Sequence, residues 1–208
     1  MTDTVFIVDD DASVRRSLSR LMRSEGLASE SFGSACAYLQ REKHDGVGCV
    51  VLDINMPEMS GIELQARLAE RGHVLPILFL TGYGEVSVSV LAMKRGALDF
   101  LVKPVDEADL LGAVRNALEH HRRIWEETAI RESILARVDS LTAREREVMQ
   151  QLITGALNKT VADRLQIAVK TVKVHRAHTM EKMGVRSVAE LLHLCHLAGI
   201  EPDSDFNP

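Results

Sequence analysis

Four short apolar runs in this chain each end at a residue type suited to phosphoryl chemistry. Val5-Phe6-Ile7-Val8 runs into Asp9-Asp10-Asp11, and Cys49-Val50-Val51-Leu52 runs into Asp53. Pro76-Ile77-Leu78-Phe79-Leu80 runs into Thr81, and Asp99-Phe100-Leu101-Val102 runs into Lys103-Pro104. Two carboxylates about 4 Å apart at an effective dielectric near 20 repel by about 4 kcal/mol. Asp9, Asp10 and Asp53 brought together therefore call for a cation among them. Mg²⁺ suits oxygen-only ligands and keeps several waters, so one or two carboxylates plus a carbonyl are enough. A carboxylate beside such an ion can attack a phosphoryl group as a nucleophile. Lys103 would share the charge of the phosphoryl oxygens, and Thr81 would offer one of them a hydroxyl. The plainer alternative is that the Asp residues only cap helices. That suits Asp11, just ahead of a helix beginning near Ala12, but leaves Thr81 and Lys103-Pro104 unexplained.

The elements that must position these residues follow from hydrophobic patterning. Buried parallel strands read as near-continuous aliphatic runs, and ligands gather outside their carboxyl ends. Helical patterns alternate with the runs: Ser13 to Ser24 places Val14, Leu18 and Leu21 on one stripe, with Gly26 as its stop. A βαβαβ alternation over some 120 residues predicts a doubly wound α/β domain, about five parallel strands with helices on both faces. After Asp106 no Gly or Pro except Gly112 appears until Gly155. Leu110, Val114, Ala117, His121, Ile124, Thr128, Leu135 and Val138 recur at helical spacing, so one long helix closes the first domain and continues as a linker. Arg123/Glu127 and Glu127/Arg131 are expected to pair four residues apart. Ile124-Trp125 lies past the expected domain end, either packed on its own domain or forming part of a coiled-coil dimer contact.

From Leu141 the pattern is purely helical. Thr142-Ala143-Arg144-Glu145 forms a capping box ahead of Val148, Met149 and Leu152. Gly155 ends that helix, Asn158 caps a short one to Leu165, Ala168 or a neighbour precedes one to Met183, and Ser187 opens a last one to about Leu197. The expected division is 3–120, 121–138 as helical linker, 139–200 as a small all-α module, and 201–208 as a disordered acidic tail.

Composition narrows the function. No apolar run in the 208 residues approaches the roughly 20 needed to span a bilayer, so no membrane partner is expected. The start, Met1-Thr2-Asp3-Thr4, lacks signal-peptide features, and Cys36, Cys49 and Cys195 lack metal-ligand spacing, so the cytoplasm is the expected compartment. Residues 1–120 hold 12 Lys and Arg against 18 Asp and Glu, a balance of −6; residues 141–199 hold 9 against 5, a balance of +4. An acidic front suits a cation or phosphate site, and a basic back suits a polyanion.

Val8-Asp9-Asp10-Asp11, Leu52 to Gly61 (LDINMPEMSG), Thr81-Gly82 and Lys103-Pro104 together resemble the receiver domain of two-component response regulators, a flavodoxin-like fold. The resemblance implies Asp53 as phosphoacceptor, Asp9 and Asp10 as the acid pair, and Mg²⁺ held by Asp10, Asp53 and the backbone carbonyl of Asn55. It also implies that Lys103 bonds the phosphoryl group, that Thr81 turns toward it, and that Phe100 fills the aromatic switch position. Tyr is common there; Phe can still swing inward, but without a hydroxyl to fix it. Asn55 and Tyr83 would border the path of an attacking water. Haloacid-dehalogenase-like phosphatases also place a nucleophilic Asp at a strand end, but need a second Asp two residues on; here that residue is Asn55, which cannot donate a catalytic proton. No GxxxxGK[ST] phosphate cradle is present. The chain is therefore expected not to be an enzyme beyond self-phosphorylation and self-dephosphorylation.

In the basic half, a wheel of Lys170 to Met183 sets Val172, Arg176, Thr179 and Met183 together, flanked by His175 and Met180. Lys170, Lys173, Val174 and Ala177 fall opposite. Such a face suits a major groove, lysines reaching phosphates or guanine edges and Val174 a thymine methyl; taken alone it is equally a solvated basic helix. Leu141 to Val148, Asn158-Lys159, Ala162, Leu165, Lys170 to His175 and Met180 to Met183 are similar to the LuxR-type helix-turn-helix. That similarity implies Lys173 and Val174 facing bases, with Lys170, Thr171 and Asn158 on phosphates. Ala177 stands where some relatives carry a basic residue, and His175 and Arg176 could contact phosphate or brace the fold. The whole resembles the FixJ-like regulators. The implied partners are a histidine kinase, promoter DNA, RNA polymerase and, on phosphorylation, a second copy of the chain. The rival reading is a DNA-binding factor indifferent to phosphate.

Overall fold

The structure, a computed structural model, describes residues 3–82 and 86–202, with side chains in the second stretch from 89 onward. It divides into two compact units between Trp125 and Glu126. Tyr83 and residues 203–208, most of the expected disordered tail, lie outside the described residues.

The first unit is built on β1 (Thr4–Val8), β2 (Ala28–Phe32), β3 (Gly48–Leu52), β4 (Ile77–Thr81) and β5 (Asp99–Val102). All pairings are parallel in the order β2-β1-β3-β4-β5. Strand side chains alternate in direction, so this sheet feeds two cores. Phe6, Val8, Val50, Leu52 and Phe79 meet α2 (Ala35–Gln40), α3 (Gly61–Glu70) and α4 (Val86–Lys94) through Tyr38, Leu64, Leu68 and Ala92. Val5, Ile7, Cys49, Val51, Leu78 and Leu80 meet α1 (Ala12–Ser24) and α5 (Glu107–Asp139) through Leu18, Met22, Leu110, Val114 and Ala117. Burial on both faces explains why β1, β3 and β4 read as unbroken apolar runs. Edge strand β2, Ala28-Ser29-Glu30-Ser31-Phe32, has no fully buried residue and gave no such run.

Helix α5 is continuous over 33 residues, as expected, but its buried positions change phase. Leu110, Val114, Ala117 and His121 are buried, and further on Ile134 and Val138 are; Thr128 is exposed and Leu135 is 37% exposed. The single stripe through Leu135 is thus corrected to Ile134: the helix serves a different core at each end, so one periodicity does not run through it. Neither expected pair of Arg123, Glu127 and Arg131 forms among the described residues. Arg122 instead meets Glu119 and Asp3, and Arg131 Nε donates to the Ala198 carbonyl at 3.3 Å. The first unit runs to Trp125, whose indole lies 6.3 Å from the His121 ring.

The second unit holds α6 (Ala143–Ile153), α7 (Asn158–Leu165), α8 (Val169–Met183) and α9 (Val188–Leu197) around Val148, Met149, Leu152, Val161, Val172, Met183, Leu191 and Cys195. The Thr142 capping box and the Ser187 cap form as the sequence indicates. Asn158 does not cap α7: Leu157 occupies the N-cap without a side-chain bond. The Asn158 Oδ1 is taken by Arg176, 3.1 Å away.

Candidate functional site

The strand ends converge through backbone bonds. The Asp9 N–H donates to the Phe32 carbonyl at 3.2 Å, Asp53 N–H to Val8 at 2.8 Å, and Lys103 N–H to Thr81 at 2.7 Å. These carry the parallel ladder past the strands and set Asp9, Asp53, Thr81 and Lys103 side by side. Lys103 Nζ donates to Asp9 Oδ2 at 2.7 Å and to Asp53 Oδ1 at 2.8 Å. Asp9 is 3% exposed and Asp53 6%, so two carboxylates share one ammonium out of bulk water. Burial works to lower the Lys103 pKa, but the bonds to Asp53 and Asp9 outweigh it and raise the pKa above its ordinary value. The amine is therefore charged at any physiological pH.

The other carboxylate oxygens are fixed by the turns that follow. Asp53 Oδ2 accepts from Asn55 N–H at 2.8 Å, and Asp9 Oδ1 from Asp11 N–H at 2.8 Å. Asp11 caps α1 by accepting from Ser13 N–H at 2.7 Å, as its bland reading proposed. Asp10 is exposed beside the pair. Among the described residues no three His, Cys, Asp or Glu side chains form a group fit to hold a metal ion. The donors nonetheless suit a hard cation that keeps its waters: they are oxygens only, and three carboxylates against the Lys103 ammonium leave two negative charges unmatched.

Thr81 is fully buried at the end of β4, and Phe100 is half-buried on β5 with its ring 6.4 Å from that of Phe79. Two further residues shape the pocket. Arg15 donates to the carbonyls of Asp9 at 2.6 Å and Asp10 at 2.9 Å, tying α1 to the acid loop. A Cβ at Gly61 would fall 2.2 Å from the Asp53 carbonyl oxygen, so only glycine lets α3 start this close. Gly61 ended the motif in the sequence, but the close approach has no sequence signal. Nor has Arg15, one of several arginines on α1.

In the second unit α7 is closed by C-cap Gln166 in a left-handed conformation (φ 54°), and Ala168 is the N-cap of α8. Val172, Thr179 and Met183 of α8 are buried; Lys170, Lys173, Val174 and Ala177 are exposed. Thr171 and His175 are half-buried. Neither α7 nor α8 has a side-chain cap, leaving first-turn N–H groups for another acceptor. Among this unit's described residues, ion pairs engage Arg144, Arg146, His178 and Lys182, not Lys170 or Lys173. Glu145 braces α8 from α6: its carboxylate takes Lys182 Nζ at 2.6 Å, and its carbonyl accepts from Thr179 Oγ1 at 3.3 Å.

Comparison with known proteins follows the same division. Residues 5–115 match the response regulator receiver domain, and residues 139–195 match the bacterial regulatory proteins of the luxR family. The chain is 44% identical over 190 residues to the response regulator protein TmoT of Ectopseudomonas mendocina, covering 91% of this chain and 86% of that one. It is 41% identical over 204 residues to the transcriptional regulatory protein FixJ of Azorhizobium caulinodans, covering 98% and 97%. A structure of the response regulator StyR superposes with a TM-score of 0.87 at 43% identity, covering 94% of this chain and 99% of that one.

Proposed function

Since the chain belongs to the response-regulator family, a two-component transcriptional regulator with a receiver and a LuxR-type DNA-binding domain, we propose that Asp53 is its phosphoacceptor and a histidine kinase its donor. The observation that carries this reading is the Lys103 ammonium shared by buried Asp9 and Asp53 at the ends of β1 and β3. Asp53 Oδ attacks the phosphorus, the O–P bond forms as the N–P bond to the kinase histidine breaks, and Lys103 meets the incoming oxygens. Asp10, Asp53 and the Asn55 carbonyl would hold Mg²⁺, which when bound offsets negative charge on the transferred group. Thr81 then turns its hydroxyl to a phosphoryl oxygen, and Phe100 follows into the space behind it. Asn55, lacking an acidic proton, leaves the phosphoaspartate to self-hydrolysis, so the chain is no enzyme toward external phosphoesters.

Output passes through a homodimer. Val90, Leu91 and Met93 of α4 and Val102 of β5 are 40–49% exposed, apolar area suited to a second copy. Pairing two chains presents two α8 helices to adjacent half-sites and raises effective concentration without new DNA contacts. RNA polymerase is the downstream partner in the cytoplasm. Among the described residues no helix is long and apolar enough to cross a membrane. Beryllofluoride with Mg²⁺ should raise both dimer mass and promoter affinity of the wild type and neither in Asp53→Asn. Acyl-phosphate labelling that persists in Asp53→Asn would place the acceptor elsewhere.

A further inference from the structure

The carboxylates at the strand ends are not held alike. Asp9 and Asp53 each have both oxygens engaged, one by Lys103 and the other by the N–H of Asp11 or Asn55. The Asp10 carboxylate is exposed and accepts no hydrogen bond among the described residues. Its direction is therefore set by its backbone alone, and one residue holds that backbone. Arg15 binds three successive carbonyls of the acid loop. Its Nη1 donates to Asp9 at 2.6 Å and to Asp10 at 2.9 Å, and its main-chain N–H donates to Asp11 at 3.0 Å. The two side-chain bonds are charge-assisted, the stronger kind. Arg15 is half-buried, with its guanidinium against Gly33: a Cβ there would stand 3.4 Å from Nη1 and 3.5 Å from Cζ and Nη2. Among the described residues the guanidinium pairs with no carboxylate, so its charge is committed to the backbone of the loop.

We propose that Arg15 is a positioning residue for the cation site: by fixing the carbonyls of Asp9 and Asp10 it holds the Asp10 carboxylate ready for Mg²⁺ without touching the ion. This rests on the reading of Asp10 as a Mg²⁺ ligand. Groups that orient a metal's ligands from outside typically carry roughly 10- to 100-fold in affinity. Charge alone acts the other way. A guanidinium near a cation site repels the ion, so an Arg15 that added only charge would, on removal, let Mg²⁺ bind more tightly. The two roles predict opposite signs.

The test is an NMR titration of the full-length protein with MgCl₂ at constant ionic strength. It reads the backbone amides of Asp11 and Asn55, which donate to the Asp9 and Asp53 carboxylates. Arg15→Met should raise the Mg²⁺ Kd about tenfold. Arg15→Lys, which keeps the charge but not the planar fork against Gly33, should raise it about threefold. Arg16→Met removes an exposed neighbouring charge that holds no carbonyl, and should leave the Kd unchanged or slightly lower. A Kd unchanged or lowered in Arg15→Met, or an equal loss in Arg16→Met, would overturn the proposal. Where Arg15→Met lacks a cooperative urea transition, Arg15→Lys decides alone, and a Kd equal to or below that of the wild type overturns it. Wild-type shifts that never saturate, or that persist unchanged in Asp10→Asn, would instead remove Asp10 as a ligand, and the role of Arg15 with it.

Discussion

Removing the Lys103 ammonium would leave the Asp9 and Asp53 carboxylates, 3% and 6% exposed, facing each other without a shared donor. Breaking a fully buried pair costs about 3–5 kcal/mol. Lys103 is 25% exposed through its side chain, so Lys103→Met should destabilise the first unit by a smaller amount, about 1–3 kcal/mol. Mg²⁺ should raise the variant's urea midpoint more than the wild type's, because the variant has the larger unmatched negative charge. Equal midpoints without metal would remove Lys103 from the electrostatic balance. Glu145 makes stability depend on pH. Its bonds from Lys182 and from the Thr142 N–H bring its pKa down to about 2. A lowered carboxyl pKa gives stability that is present above the ordinary value near 4.5 and lost as pH falls toward about 2. The urea midpoint of the second unit should fall across that window in the wild type and change less in Glu145→Gln. Parallel acid limbs in the two proteins would show that another carboxyl controls it.

Helix α3 starts against the loop it follows, and that contact is testable at the scale of the element. Gly61→Ala would drive a methyl to 2.2 Å from the Asp53 carbonyl oxygen, which must move with the Asp53 backbone itself. Overpacking of this kind costs about 1–3 kcal/mol, and phosphorylation by a kinase or a small acyl phosphate should slow with it. A variant as stable and as readily labelled as the wild type would show the loop to be pliant. The elements themselves were largely legible. Sheet strands buried on both faces leave unbroken apolar runs, and the Thr142 and Ser187 caps leave local signatures. What stayed illegible depends on partners distant in sequence. Asn158 looks like a cap in its local context, but Arg176, 18 residues on, takes its oxygen. Ile134 replaced Leu135 because α5 packs into a second core at its far end. Strand patterning alone does not tell which of the three carboxylates are buried: Asp9 and Asp53 go inward onto Lys103 while Asp10 stays exposed.

Across the whole chain, charge separates the two activities. The −6 balance of residues 1–120 repels a polyanion, while the +4 of residues 141–199 attracts one, so DNA affinity must come from a small number of placed cations. Lys170 lies in the first turn of α8, beside uncapped N–H groups that also suit phosphate; Lys173 lies one turn on, next to exposed Val174. The two lysines should therefore fail differently. Lys170→Ala should weaken binding to all sequences and lower the salt slope by about 1, the loss of one released counterion. Lys173→Ala should cost about 1–3 kcal/mol on the cognate promoter and little on unrelated DNA, narrowing the ratio between them. Affinities of the full-length protein, activated with beryllofluoride and measured across a salt series on both DNAs, separate the two effects. If Lys173→Ala instead lowers both affinities equally with the slope of a lost phosphate contact, then sequence is read by Val174 and by DNA shape rather than by a lysine.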